Sequence, residues 1–314
     1  MFGLVLRRLM LSVPLLFVVT ASTFLLEALI PGDIARTLVG PQASLQQYLS
    51  MKRSLGLDEP LWTRYWHWLD AAFHGSLGTS LFFQQSVTSM LNGRLEVTFS
   101  LIIGATLVAG VSGVLLGIAL ALQRGKVIRK LADMFALIGL AVPNFFLGLL
   151  LVTWFAVSIR AFPATGFVSF SQSPTQWLHS LVLPVFTLAV PGIALLAKQT
   201  RDAMSEALAR PFIDTLRASG VSQRSIVFKH ALRNAALPIV TVIGIGFIGA
   251  LSGTVVVESV FAMPGLGGLA VQATTQHDVP LIQGIAVYFT IIAIAINLLV
   301  DLAYGWLDPR VRVS

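Results

Sequence analysis

The segment RDAMSEALARPFIDTLRASGVSQRSIVFKHALRNAALP, residues 201–238, decides the fold, because it is the longest polar and basic stretch between two long apolar runs. The positions of its proline, glycine and serine residues predict two short helices joined by a tight turn. Pro211 suits the first turn of a helix, where its missing N–H is not needed. Gly220 suits the left-handed position just past a helix end, and Ser222 can cap a second helix that runs towards Pro238.

The first of these helices has an apolar side and a charged side. Phe212, Ile213 and Leu216 fall together at helical spacing, whereas Asp214 and Arg217 lie away from them. Asp214 also complements the positive end of the helix dipole. Two interpretations are open at this point: a loop helix tucked against its own bundle, or a docking element offered to another protein.

The apolar runs on either side belong to a chain of 314 residues that is 56% hydrophobic and only 11% charged. Soluble chains carry roughly a quarter charged residues. Several runs approach or exceed the about 20 residues that cross a bilayer, and helices satisfy their own backbone in lipid. The composition therefore predicts an all-α polytopic membrane protein. The absence of cysteine excludes disulfides and thiolate ligands.

Six membrane spans are predicted from the apolar runs. A secretory signal peptide is the competing interpretation of the first run, which follows Arg7 and Arg8, but the run is longer than a signal peptide's apolar core. Pro143 predicts a kink in the third span. The spans are residues 9–30, 95–122, 131–159, 181–197, 235–257 and 282–306.

Three segments follow from these spans. Residues 1–30 form an N-terminal transmembrane helix, and residues 31–94 form an extracytoplasmic helical region. Residues 95–314 form a five-helix core that contains a loop at residues 198–234. Residues 31–94 are the one sizeable extramembrane region of this organisation.

The extracytoplasmic region is predicted to contain two helices. Ser44 with Gln47 makes a capping box for the first, and Gly56 terminates it. The second follows Pro60 and carries an apolar stripe. Such a stripe is more typical of packing against the bundle or the membrane interface than of a ligand platform. Its members are Trp62, Tyr65, Trp66, Leu69 and Phe73.

The distribution of basic residues decides which side of the membrane each loop faces. Of the 21 Lys and Arg residues, 15 lie before the first span, in residues 124–130, in residues 198–233 or after the last span. The other six lie on the opposite side. Such an excess faces the cytoplasm. The loop at 198–234 and both termini are therefore predicted to be cytoplasmic.

The sequence shows no motif of a nucleotide site or a hydrolase. It contains no G-x-x-x-x-G-K-[ST], no H-E-x-x-H and no G-x-S-x-G motif in a plausible context. We therefore predict no catalytic residue, no metal site and no cofactor bound by this chain. Glu27 and Asp301 lie near the ends of their spans, whereas ion-coupled transporters more often carry acidic groups near mid-membrane. The energy for transport is expected to come from elsewhere.

Further motifs along the chain carry a family resemblance. In this order they resemble the permease subunits of ABC importers in the dipeptide/oligopeptide/nickel branch. The motifs are PGD at 31–33, LGLDEPL at 55–61, HG at 74–75, LGTSL at 77–81, RNAALPIVT at 233–241, VVVESVF at 255–261, PGLG at 264–267, NLLVDL at 297–302 and LDPR at 307–310.

In that family the cytoplasmic loop before the fifth span carries a coupling helix with an E-A-A-x-x-x-G pattern, which inserts into a groove on an ATPase subunit. Only Gly220 matches the general pattern. Against R-T-A-R-A-K-G, which is common in this branch, Thr215, Arg217 and Ala218 also match, whereas the neighbouring positions depart. The resemblance implies an ATPase-coupling loop made of Phe212, Ile213, Asp214, Thr215, Leu216, Arg217, Ala218, Ser219 and Gly220.

The resemblance implies the type I ABC importer permease fold and a role in ATP-driven import of di- and oligopeptides across the bacterial inner membrane. It implies a heterodimer with a second homologous permease, two cytoplasmic ATPase subunits that use ATP and Mg, and an extracytoplasmic substrate-binding protein. Membrane lipid surrounds such a chain, and nucleic acid is not expected. Nickel chelates, glutathione or opines could replace peptides as the cargo. Outside the family, an ion-coupled secondary transporter, a membrane-embedded enzyme and an assembly factor stay open as competing functions.

Overall fold

A computed structural model describes residues 2–29, 33–123 and 125–307, and these residues form helices and no strand. The side chain of Glu27 and the predicted motif residues 31, 32 and 308–310 lie outside the described part. The helices are α1 Phe2–Leu29, α2 Ile34–Val39, α3 Leu45–Ser54, α4 Leu61–Phe73, α5 Val87–Leu122, α6 Lys126–Ala141, α7 Asn144–Ser158, α8 Pro174–Leu208, α9 Pro211–Ala218, α10 Gln223–Val260, α11 Leu266–Gln276 and α12 Val279–Leu307.

Within the described residues, five helices are long and apolar enough to cross a membrane: α1, α5, α8, α10 and α12. The bent pair formed by α6 and α7 supplies a sixth apolar stretch of the same kind. The predicted spans fall on these elements in the predicted order. The prediction of an all-α polytopic membrane protein is therefore confirmed.

The third span is broken where the sequence predicts a kink. The axes of α6 and α7 meet at 95°. Pro143 has no N–H to continue the helix, and it restricts the residue before it to extended conformations. Val142 has φ −73° and ψ 121°, as that restriction requires. The span is therefore two helices rather than one kinked helix.

Two helices extend well beyond the predicted spans. α8 begins directly after its capping residue, Ser173, and ends at Leu208. α10 begins after Ser222 and continues without a break past Pro238. The prediction of a separate short helix before the fifth span is therefore wrong. Hydropathy marks where lipid ends, whereas helical hydrogen bonds continue until a residue interrupts them.

The chain packs as two compact units. The larger comprises Glu96–Gly267 with the two ends of the chain, and the smaller comprises Leu6–Leu95 and Gly268–Ile294. In the larger unit α8 packs against α6, α7 and α10. Two buried apolar clusters line α8, one around Leu183 and one around Met204. These units follow packing alone, so the three segments proposed from the spans stay a prediction.

Glycines allow α5 and α8 to lie close together. A Cβ atom at Gly113 would stand 2.9 Å from the Cβ of Leu196. A Cβ atom at Gly117 would stand 2.5 Å from the Cβ of Thr200 and 2.7 Å from the carbonyl oxygen of Ala197. Small residues let membrane helices approach in this way. The G-x-x-x-G spacing is a sequence signal for this contact that hydropathy does not register.

In the smaller unit, the apolar stripe of α4 has one buried member and several exposed ones. Tyr65 is buried, and its hydroxyl oxygen lies 2.9 Å from that of Thr20 on α1. Trp62, Trp66 and Phe73 remain exposed. Within this chain the stripe therefore packs on α1 through Tyr65 and leaves an aromatic surface beyond it.

The local capping signals of the smaller unit are confirmed. The backbone N–H of Ser44 donates to the Oε1 atom of Gln47 at 2.9 Å, and the backbone N–H of Gln47 donates to the Ser44 hydroxyl at 3.3 Å. Gly56 follows the end of α3 with φ +64°, a left-handed conformation that glycine adopts without strain. Both caps depend on residues three to five positions away from them, which is why the sequence predicts them.

A buried aspartate fastens the turn before α12 by contacts that no local pattern predicts. Asp278 is fully buried and accepts a hydrogen bond of 2.5 Å from the hydroxyl of Ser80, 198 positions away. The backbone N–H groups of Leu81 and Phe82 also donate to its carboxylate, at 3.3 and 3.4 Å. The LGTSL motif is therefore one half of a buried hydrogen-bonded contact.

Candidate functional site

The predicted coupling loop folds as α9 and the turn after it. Pro211 is the first helical residue, where its missing N–H costs no hydrogen bond. Asp214 lies in the first turn, where its charge complements the helix dipole, and it forms an ion pair of 3.0 Å with Arg217. The helix ends at Ala218. The structure thus brings the nine predicted residues together on one short element and its cap.

Gly220 ends α9 in a left-handed conformation, as the sequence predicts. Its φ is +75°. Its N–H donates to the carbonyl oxygen of Arg217 at 3.0 Å, and the N–H of Val221 donates to that of Leu216 at 3.1 Å. These two hydrogen bonds form a Schellman motif. The orientation of the turn is therefore fixed by the backbone of the glycine and its neighbours.

Short connections join α9 to the two long helices beside it. Only Ala209 and Arg210 separate α8 from α9. On the other side Ser222 caps α10, because its hydroxyl accepts a hydrogen bond from the N–H of Ser225 at 3.3 Å. Neither connection is long enough to act as a flexible linker, so α9 follows the movements of α8 and α10.

One face of α9 is buried in the chain and the other is open. Ile213 is fully buried, with 0% of its surface exposed. Phe212 and Leu216 are half-buried, whereas the residues of the opposite face are exposed to solvent. This pattern contains elements of both initial interpretations: the helix is anchored to its own bundle and presents a second face outward. The exposed residues are Asp214, Thr215, Arg217, Ala218, Ser219 and Gly220.

A buried apolar cluster in the larger unit joins the helices on either side of α9. It contains Ile118 of α5, Met204 and Ala207 of α8, and Val227 and Ala231 of α10. Burial of such side chains is worth roughly 1.5–3 kcal/mol for each large residue. The cluster therefore holds the base of α8 and the start of α10 as one packed body.

An ion network ties the base of α8 to α6. Arg201 is 6% exposed, and its guanidinium donates to Asp133 of α6 at 2.5 Å and to Asp202 at 2.9 and 3.0 Å. The guanidinium is buried, whereas the two carboxylates are 44% and 46% exposed, so solvent weakens each pair below the strength of a fully buried one. The network therefore links α8, and through it α9, to the first half of the broken span.

At the far end of α10 a second buried contact explains two of the sequence motifs. Glu258 is 1% exposed and accepts a hydrogen bond of 2.8 Å from the hydroxyl of Thr98, which itself accepts the N–H of Leu266 at 2.9 Å. A Cβ atom at Gly267 would stand 2.5 Å from the Cα of Val255, a backbone atom that cannot rotate away, so only glycine fits there. The VVVESVF and PGLG motifs are thus two sides of one packed site.

The described residues offer no metal site. No group of three or more His, Asp or Glu side chains within them stands close enough to hold a metal ion. The prediction that the chain binds no cofactor stays a prediction. What the geometry of the larger unit provides is a short amphipathic helix with one exposed face, joined directly to two membrane helices.

Two family models match the chain. Residues 113–313 match the model of the binding-protein-dependent transport system inner membrane component, and residues 1–102 match the N-terminal model of such membrane components. This chain belongs to the binding-protein-dependent transport permease family. The permease has relatives along its whole length.

Three of these relatives cover nearly all of the permease. A probable peptide ABC transporter permease of Sinorhizobium fredii is 39% identical over 98% of both chains. A putative peptide transport system permease of Brucella abortus is 39% identical over 99% of both chains. The glutathione transport system permease of Escherichia coli is 36% identical over 99% of both chains.

Solved structures show the same fold. The permease resembles the membrane chain of the MetNI methionine ABC transporter in an inward-facing conformation, with a TM-score of 0.54 and 18% identity. The similarity covers 70% of the permease and 96% of that chain. At this identity the similarity concerns the fold alone.

These comparisons confirm the predicted family and the type I ABC importer fold. The permease is a multi-pass inner-membrane subunit of an ABC transporter, and such subunits work with ATPase partners. The residues that sequence reasoning missed are Thr98, Asp133, Arg201 and Glu258, which meet across long chain separations. The family motif around Glu258 is the one signal in the sequence that marked any of them.

Proposed function

We propose that this permease imports short peptides and that α9, with its Gly220 cap, docks into an ATPase subunit. The two-faced burial of α9 is the observation that carries the docking proposal. Ile213 anchors the helix, and the face opposite it is open. The half-buried Phe212 and Leu216 border that face and supply apolar contact area for a partner groove.

The remaining partners follow from the architecture of the family. A second, homologous permease would pair with this one in a heterodimer and complete the pathway. Two cytoplasmic ATPase subunits would bind ATP and Mg and close upon it, while this chain performs no catalysis. An extracytoplasmic binding protein would deliver the cargo. Closure of the ATPases would move α9 and, through α8 and α10, shift the spans between two states with different contacts.

Short peptides are the cargo that the names of the relatives support best. The Sinorhizobium and Brucella relatives are named peptide permeases, at 39% identity over nearly the whole chain. Glutathione, itself a tripeptide, is the second candidate, because the 36% identical Escherichia coli relative is named for it. Uptake of a labelled dipeptide into cells with the complete transporter, with unlabelled glutathione as competitor, separates the two.

The docking proposal predicts a specific crosslink. The chain has no cysteine, so a single introduced thiol is unique. We expect Ala218→Cys, on the open face of α9, to form an adduct with an ATPase subunit when the assembled transporter is labelled with a maleimide benzophenone and illuminated. Electrophoresis and mass spectrometry of the adduct identify the partner.

Thr175→Cys is the matched control, since Thr175 is also exposed but lies at the opposite end of α8. It is expected to give no ATPase adduct. Adducts of the Ala218 variant confined to its own chain would support the interpretation of α9 as a packed loop helix without a partner.

The charge distribution predicts the orientation in the membrane. With 15 of 21 basic residues on the side of α9, that side and both termini are expected to be cytoplasmic. In intact cells, a membrane-impermeant maleimide should label Leu45→Cys and Thr175→Cys. Gln223→Cys should become labelled only after the membrane is permeabilised. Labelling of the Gln223 variant in intact cells would contradict the docking model, because ATPases are cytoplasmic.

A further inference from the structure

A long groove in the larger unit runs between α5, α6 and α8, and the transport mechanism proposed above does not use it. Its volume is about 560 Å³. Leu116, Phe135 and Phe186 line it with exposed apolar side chains, and Ala119 and Ala194 contribute small ones. A groove of this kind on a membrane protein matches hydrocarbon rather than a polar solute.

One end of the groove is charged. Asp133, Lys198 and Arg201 line it there. Arg201 carries one positive charge and pairs with two carboxylates, those of Asp133 and Asp202, so the three side chains together have a net charge of −1. Lys198 is exposed and forms no ion pair or hydrogen bond within the described part of the chain. The end of the groove therefore holds an ammonium group without an ion-pair partner among the described residues, while the four side chains together carry no net charge.

A second basic residue lies beside this end. Lys130 precedes Asp133 by three residues on α6, and residues at that spacing lie on the same helix face. It is exposed and also has no partner among the described residues. With Lys130 and Lys198 included, the five charged side chains have a net charge of +1, which one anionic group would neutralise.

The length of the groove fits one leaflet of a bilayer. From Phe186 to Arg201, α8 rises about 22 Å at 1.5 Å per residue. Half of a bilayer's hydrocarbon core is about 15 Å thick. A groove of this length is therefore long enough to cross one leaflet and to reach its headgroup region.

We propose that this groove binds an anionic phospholipid, with one acyl chain along α8 and the phosphate group at Lys198. The apolar lining accommodates the chain, the free ammonium pairs with the phosphate, and the length matches a single leaflet. The proposal does not depend on the cargo or on the docking role of α9.

The test is lipid retention by the assembled transporter, purified in mild detergent with equal amounts of phosphatidylglycerol and phosphatidylcholine and analysed by native mass spectrometry. We expect phosphatidylglycerol to remain bound preferentially. Lys198→Gln should lower its retention about fivefold, the effect of one basic residue near an anionic headgroup. Ala119→Trp, which fills the open groove without altering charge, should lower the retention of both lipids.

Lys229→Gln is the matched control, because Lys229 is also an exposed lysine, lies on α10 and does not line the groove. It should leave retention unchanged. If Lys229→Gln lowers the retention of phosphatidylglycerol as much as Lys198→Gln does, the proposal is overturned, because the anionic lipid is then attracted to any basic surface. A photoreactive residue can also replace Phe135. If it crosslinks to the second permease rather than to lipid, the proposal is overturned, because the groove is then part of a subunit interface.

Discussion

Replacing Gly220 by valine is expected to abolish uptake while leaving the permease inserted and paired in the membrane. The φ of +75° at this position is strained for a residue with a Cβ atom by about 1–2 kcal/mol, and more for a β-branched one. No heavy atom lies within 4 Å of an added Cβ there, so the effect is conformational rather than steric. The strain should unwind the turn, and α9 should then be misaligned relative to the groove on the ATPase subunit.

Peptide uptake and ATPase activity are measured in proteoliposomes. Co-purification of the subunits is measured after the complex is solubilised in detergent. The valine variant should retain the second permease, while the ATPases co-purify poorly or hydrolyse ATP without transport. Gly220→Asn is the control, because asparagine tolerates the left-handed region better than other residues. It should keep most of the uptake. Normal uptake by the valine variant at a normal protein level would sink the assignment of α9 as the coupling element.

Replacing Gly117 by valine is expected to destabilise the larger unit. The added Cβ would stand 2.7 Å from the carbonyl oxygen of Ala197, a backbone atom that cannot rotate away. The helices α5 and α8 would have to separate along their contact. Overpacking of this kind costs about 1–3 kcal/mol, and here it also disturbs the neighbouring cluster around Met204.

The variant should give a lower yield of monodisperse protein in detergent. Its thermal unfolding temperature, followed by intrinsic fluorescence, should also be lower. Gly110→Val is the matched control on the same helix, because a Cβ at Gly110 meets no atom within 4 Å. It should behave like the unmodified permease. If both variants melt alike, the close contact between α5 and α8 does not stabilise the fold.

The local features of α9 and of the turn after it were predictable from the sequence. Pro211, Gly220 and Ser222 each act through hydrogen bonds to residues within five positions, so their chemistry alone indicates what they do. The amphipathic pattern also separated the buried Ile213 from the exposed Arg217. These predictions required no knowledge of the rest of the chain.

The lengths of the helices were less predictable, because hydropathy reports the lipid boundary and not the helix end. Ser173 followed by proline is a recognisable start signal for α8, yet it lies well before the predicted apolar run. The fifth span likewise begins at the cap formed by Ser222. The capping residues therefore mark the starts of α8 and α10 more accurately than hydropathy does.

Contacts between distant residues could not be predicted. The hydrogen bond between Thr98 and Glu258 joins positions 160 apart, and that between Arg201 and Asp133 joins positions 68 apart. Each of these residues is ordinary in its own helix, because side-chain periodicity describes only one element at a time. Which helices face each other is decided by packing, and only the three-dimensional structure supplies it.

The continuity of α8 has a mechanical consequence. Its 35 residues make a rod about 52 Å long, against a hydrocarbon thickness of about 30 Å. One end meets α9 after two residues, and the other begins at Ser173, directly after a loop that Glu96 holds through Ser169 and Phe170. Pro184 and Pro191 lie inside this helix, and each removes one backbone hydrogen bond, so these are the two positions at which it can bend. A movement of α9 would thus reach the opposite loop along one continuous helix, reduced by any bending at these two prolines.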